Sequence, residues 1–114
     1  MNFLAFRGIK STPKFNLGQT FVDKGYCSTA FDAQTASEFT TGGTGSGVEN
    51  AGTIFRIKIP KGTKGLAFRG EEKEFLLGRN HEFKVVKISD KLSSKDLGIR
   101  GNDSFQVVDL EIIA

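Results

Sequence analysis

The chain has 114 residues, 38% of them apolar and 25% charged. That is enough for one domain with a small core, and it excludes a disordered polyelectrolyte and a membrane protein. One cysteine and one histidine exclude an internal disulfide and a Cys-rich metal site and argue against a His-based one, so any chemistry must rest on Arg, Ser, Thr and carboxylates, while 16 basic against 13 acidic residues suit an anionic ligand and are too few to argue for nucleic acid.

The start, Met1-Asn-Phe-Leu-Ala-Phe-Arg-Gly8, has no basic leader, and no apolar run approaches the ~20 residues of a membrane span, so neither a signal peptide nor a membrane segment is expected. Phe3–Phe6 reads as a buried strand running into Arg7-Gly8. Residues 9–20 read as loop, with Pro13 and Gly18, and a turn at Asp23-Lys-Gly25 precedes a short strand around Tyr26-Cys27-Ser28. Asp32 is placed to cap a short helix from Ala33 to about Phe39. The glycine-rich run Thr41–Gly47 reads as a loop.

Thr53–Ile59 alternates, with Phe55, Ile57 and Ile59 on one face and Ile54, Arg56 and Lys58 on the other, and Pro60-Lys-Gly62 ends it. Glu74–Leu77 and Phe83–Ile88 read as two strands joined by a turn at Gly78-Arg-Asn80; residues 89–104 read as loop, and Phe105–Ile113 as the last strand, with Val108, Leu110 and Ile112 on one face. The sum is a single domain over 1–114: mainly β, α+β, two packed and mostly antiparallel sheets with one short helix.

Three pieces carry the candidate chemistry. In Phe6-Arg7-Gly8, an arginine fork ends a strand beside a residue that permits close approach, an arrangement suited to phosphate. Gly25-Tyr-Cys-Ser28-Thr29-Ala30 puts two hydroxyls on a strand. Glu72-Lys-Glu74-Phe-Leu-Leu77 sets two carboxylates two residues apart, on one face of extended chain, directly before apolar residues. Each alone has a bland reading: an edge arginine, ordinary strand hydroxyls, a solvated charge run.

Together and in this order the pieces resemble the Arg–Ser–Glu class of mono-ADP-ribosyltransferases, which includes cholera-toxin-like enzymes, clostridial binary-toxin and Rho-modifying exoenzymes, and related bacterial and phage effectors. The resemblance covers residues 3–113. Two departures stand out: Ala30 occupies a usual serine position, and the chain begins at the first core strand, so the family's N-terminal helical region, which lines part of the NAD site, is expected to be absent or supplied by a partner.

The resemblance implies NAD as co-substrate, no metal, and ADP-ribose transfer to a target protein in a bacterial or host cytosol. Arg7 would hold the pyrophosphate or adjacent ribose, Gly8 would offer backbone groups to the nicotinamide amide, Ser28 would orient Glu74, and Thr29 would support the same strand. Phe39 would stack on nicotinamide or serve as a core residue at the helix end. Glu74 would stabilise the developing oxocarbenium ion, and Glu72 would serve the acceptor; a Glu there implies an arginine target. Phe68, in the turn at 64–71, would contact the target or lie in the core. Residues 42–47 would border the nucleotide. Two alternatives stay open: an NAD glycohydrolase on the same site, and an inactive binding or structural module. The basic stretch Arg56, Lys58, Lys61 and Lys64 reads as a solvated face or as a contact for an acidic target, and Cys27 and His81 receive no role.

Overall fold

A computed structural model of the chain describes residues 2–23, 27–30, 32–40, 50–60, 65–67, 74–77 and 81–113. Strand positions 27–30, 65–67 and 74–77 enter through their backbone and register. The elements in chain order are β1 (Asn2–Ile9), β2 (Thr20–Asp23), β3 (Cys27–Ala30), α1 (Ala33–Ser37), β4 (Thr53–Pro60), β5 (Gly65–Ala67), β6 (Glu74–Leu77), β7 (His81–Ser93) and β8 (Ser104–Ile112).

The expected mainly β, α+β fold with one short helix holds. Hydrogen bonding joins the eight strands in one order, β2-β7-β8-β4-β1-β3-β6-β5, rather than in two separate ladders. All neighbouring pairs are antiparallel except β4 with β8, so the sheet is mixed. β1 and β4 pair along their whole length, from Asn2 opposite Pro60 to Ile9 opposite Thr53. Among the described residues, by contrast, the register of β1 with β3 is a single pair, Phe6 opposite Ala30.

The alternation of β4 divides the core as its sequence predicts. Phe55 and Ile57 lie with Ala5, Ile59, Phe83, Val85, Val108 and Leu110 in the larger cluster, and Ile112 packs against it. On the other face Ile54 meets Ala36, Ala51, Phe105 and Val107. Thus β8 carries buried residues on both faces, Phe105 and Val107 on one and Val108 and Leu110 on the other, because α1 and the β7–β8 hairpin close over the side that simple alternation leaves to solvent. Phe15 roofs the larger cluster, edge-on to Phe55 at 5.6 Å between ring centres.

Four local expectations change. The strand β1 runs on through Ile9, since the β4 partner continues to Thr53, so Arg7 is a strand residue rather than its terminus. Residues 20–23, where a loop through residue 20 and a turn from Asp23 were expected and no strand, form β2 against the start of β7. Gly65–Ala67, read as part of a turn, pairs with β6. β7 continues to Ser93 through two register shifts, where a loop was expected from 89; Leu92 opposite Phe105 gives the extension an apolar anchor. The turns at 24–26 and 78–80 and the glycine-rich run 41–47 lie outside the described residues.

The short helix forms for the expected reason: the Asp32 carboxylate accepts a hydrogen bond from Thr35 N at 2.7 Å. It ends after one turn, Glu38 N and Phe39 N donating to Thr35 O and Ala36 O. Arg100 N donates to Gln34 Oε1 at 2.9 Å and ties the β7–β8 hairpin to it. No described helix is long and apolar enough to cross a membrane.

Candidate active site

β1 is the strand from which the site is built, because alternation sends adjacent residues to opposite faces. Arg7 opposes Phe55 and shares the face of Ala5 and Ile9. There it lines a cavity of about 190 Å³ whose other walls include Phe21, Phe55, Ile57, Phe83 and Leu110. A guanidinium at the rim of an apolar recess sits in lower dielectric than bulk water, which strengthens its hold on an anion.

Gly8 belongs to the opposite face and lies under α1. A Cβ on Gly8 would overlap the carbonyl oxygen of Ala36. Close approach of the helix therefore accounts for glycine at this position, alongside the expected close approach of a ligand.

Glu74 enters through register. Phe6 opposes Ala30 on β3, and Ala30 opposes Glu74 on β6, so the three residues form one row across three strands. Two strand spacings separate the ends of that row, roughly 10 Å. Arg7 is one residue beyond the row on β1. Ser28 opposes Leu76, two residues along from the Ala30–Glu74 pair, and so has the same parity as Glu74 on this ladder. Thr29 opposes Phe75 and has the other parity. The sheet thus brings Arg7, Gly8, Ser28 and Glu74 into one neighbourhood of three strands, with Arg7 on the other face of β1 from the Glu74 row. Glu72 and Phe68 lie outside the described residues.

Phe39, for which stacking and core readings were both open, is not a core residue: it is 56% exposed, directly after the helix. Of the basic stretch, Arg56 is engaged. Its Nε and Nη2 donate to Asp109 Oδ1 and Oδ2 at 2.8 and 2.9 Å. Lys58 lies opposite Glu111 in register. Sequence reading missed these two acids, although the alternation of Asp109 and Glu111 with the apolar residues of β8 carried the signal. Lys61 and Lys64 lie outside the described residues. Among the described residues no group of three His, Cys, Asp or Glu side chains is placed to hold a metal ion.

Residues 7–104 match the family model of the ADP-ribosyltransferase exoenzyme. No curated protein sequence matches the chain. Among solved structures, the enzymatic component C2-I of the C2 toxin of Clostridium botulinum superposes with a TM-score of 0.69 at 20% identity, over 98% of this chain and 32% of that one. The ATR domain of Salmonella SpvB gives 0.64 at 20% identity, over 98% and 62%. The Vis toxin of Vibrio splendidus, an ADP-ribosyltransferase, gives 0.65 at 20% identity, over 100% and 49%. These likenesses concern the fold, and the chain spans about a third to six-tenths of the length of these structures.

Proposed function

This chain belongs to the ADP-ribosyltransferase exoenzyme family, whose enzymes use NAD as substrate, and on that premise we propose that it transfers ADP-ribose from NAD to an arginine of a target protein, as a toxin or effector acting in a bacterial or host cytosol. The observation that supports this reading most is the Phe6–Ala30–Glu74 row with Ser28 two pairs away and Arg7 one residue beyond. It supports the reading through register: the strand of the candidate anion-binding arginine and the strand of the candidate carboxylate flank β3, which carries the candidate hydroxyls.

In this reading Arg7 binds the pyrophosphate or the ribose beside it, and Phe39 stacks on nicotinamide. The bond between nicotinamide N1 and ribose C1′ breaks, and nicotinamide leaves as a neutral base with the bonding electron pair. Positive charge develops on the ribose, and Glu74 stabilises it through the ribose 2′-hydroxyl. Ser28 fixes the Glu74 rotamer, with Thr29 supporting the strand. A guanidine nitrogen of the acceptor then forms the new bond to C1′ and loses its proton to Glu72; a protonated guanidinium is a poor nucleophile, so a carboxylate at that point serves the chemistry. Gly8 backbone groups hold the nicotinamide amide, and Phe68 meets the target.

The test is one panel assayed for released nicotinamide and for labelled acceptor. Glu74→Gln should lower both by about a hundredfold or more. Glu72→Gln should abolish arginine labelling and leave much of the NAD hydrolysis. Alanine at Glu71 or Lys73 should be mild. Nicotinamide release without labelled acceptor would make the protein an NAD glycohydrolase. No release by the wild type would make it a binding module that keeps the fold.

A further inference from the structure

Helix α1 has five residues. That is too short to hold itself in water, so what it rests on sets its position. Its last turn closes on Ser37, whose carbonyl accepts from Thr40 N at 3.1 Å and from Thr40 Oγ1 at 2.6 Å. The Thr40 side chain is buried, and it fills the space left by glycines on two separate segments. A Cβ on Gly8 would lie 3.3 Å from Thr40 Cγ2, and one on Gly52 would lie 3.2 Å from Thr40 Cβ. Gly8 directly follows Arg7. Gly52 directly precedes β4, at the end where Thr53 opposes Ile9. Its φ of +142° and its contact with the Ile9 carbonyl both require glycine. Thr40 is therefore keyed into the end of the β1–β4 ladder, while the residue before it, Phe39, projects its ring into solvent.

We infer that Thr40 is a positioning residue for NAD binding: wedged between Gly8 and Gly52, it fixes the exposed Phe39 ring relative to the strand that carries Arg7. This rests on the reading of the site as an NAD site. Neither the wedge nor the hydroxyl touches substrate. They act by removing freedom from an aromatic side chain that would otherwise have to be ordered on binding.

The experiment is a double-mutant cycle of Thr40→Ala and Phe39→Ala, read as KM for NAD and kcat for nicotinamide release. Each single variant should raise KM by about tenfold with kcat within about twofold, and the double variant should be no worse than Phe39→Ala alone. Thr40→Ser, which keeps the bond to Ser37 and loses only the methyl group beside Gly8, should give a smaller rise in KM at an unchanged thermal midpoint, so the test survives if the alanine variant is poorly folded. Independent losses that multiply in the double variant, or a fall in kcat at constant KM, would overturn the inference alone. Absence of NAD turnover by the wild type would overturn the reading of the site and the inference with it.

Discussion

The sheet has two unequal parts. Strands β2, β7, β8, β4 and β1 form a five-stranded block in which β1–β4 and β7–β8 each pair over eight positions, and both apolar clusters seen among the described residues are built on it. Strands β3, β6 and β5 have three or four residues each and join the block where Phe6 opposes Ala30. The block carries the described core, and the small part carries the candidate residues Ser28 and Glu74. Arg7 and Gly8 stand at the seam, on the last strand of the block. The lesson concerns how position is set: β1 and β4 hold each other along their whole length, whereas Ser28 and Glu74, to which the proposed function assigns chemistry, are related to Arg7 through the short registers that join β3 and β6 to β1.

Four measurements break or sharpen this division. The largest effect belongs to the block. Phe105→Ala empties a fully buried site and should cost about 3–5 kcal/mol in chemical denaturation. Its KM for NAD, per folded molecule, should stay at the wild-type value; a large change would mean that the two parts are energetically one. Next comes the seam. Arg7→Lys keeps the charge and loses the planar fork, so NAD affinity measured by calorimetry should fall about ten- to a hundredfold, with little change in unfolding midpoint. Wild-type affinity in that variant would make Arg7 a scaffold residue.

Smaller again is the ion pair of the block. Arg56 and Asp109 are bidentate but 26% and 21% exposed. A double-mutant cycle should return a coupling of about 0.2–1 kcal/mol, and less at high salt. The smallest effect is at the tip of the β7–β8 hairpin. Asp96 accepts from Ser93 N and Ser93 Oγ, both at 3.0 Å. The backbone bond first, and the hydroxyl second, hold its carboxyl below the usual carboxylate value. A depressed folded-state value means that the contribution is present above the ordinary value near 3.9 and is lost as pH falls through the depressed one. Asp96→Asn should therefore be slightly less stable than wild type at pH 7, and the gap should close below about pH 4.

The block was the more legible part in the sequence. Clean alternation in β4 and in β8 marked the faces correctly, and Asp32 marked the helix start. Strand ends were less legible, because they depend on the partner strand rather than on local pattern. Ile9 remains in β1 only because Thr53 faces it, and β7 runs on to Ser93 only because Leu92 meets Phe105. Of the site, the residue types and their order were visible, but the row that joins Phe6, Ala30 and Glu74 is a matter of register between strands distant in sequence. Thr40 and Gly52 gave no local signal at all: a threonine after a short helix and a glycine before a strand look like loop punctuation until the fold sets one against the other.

The parallel pairing of β4 with β8 also orders the folding of the chain in time. Gln106 and Thr53, partners on this ladder, are 53 residues apart in sequence, and β8, last of the strands in chain order, lies in the sheet interior between β7 and β4. β1 can meet β4, and β2 can meet β7, but neither pair can be joined to the other before residues 104–112 arrive. Loop closure over such separations makes folding slow, on the order of milliseconds to seconds. The β1–β4 and β2–β7 pairs are therefore united in one sheet only once β8 has taken its place between β4 and β7.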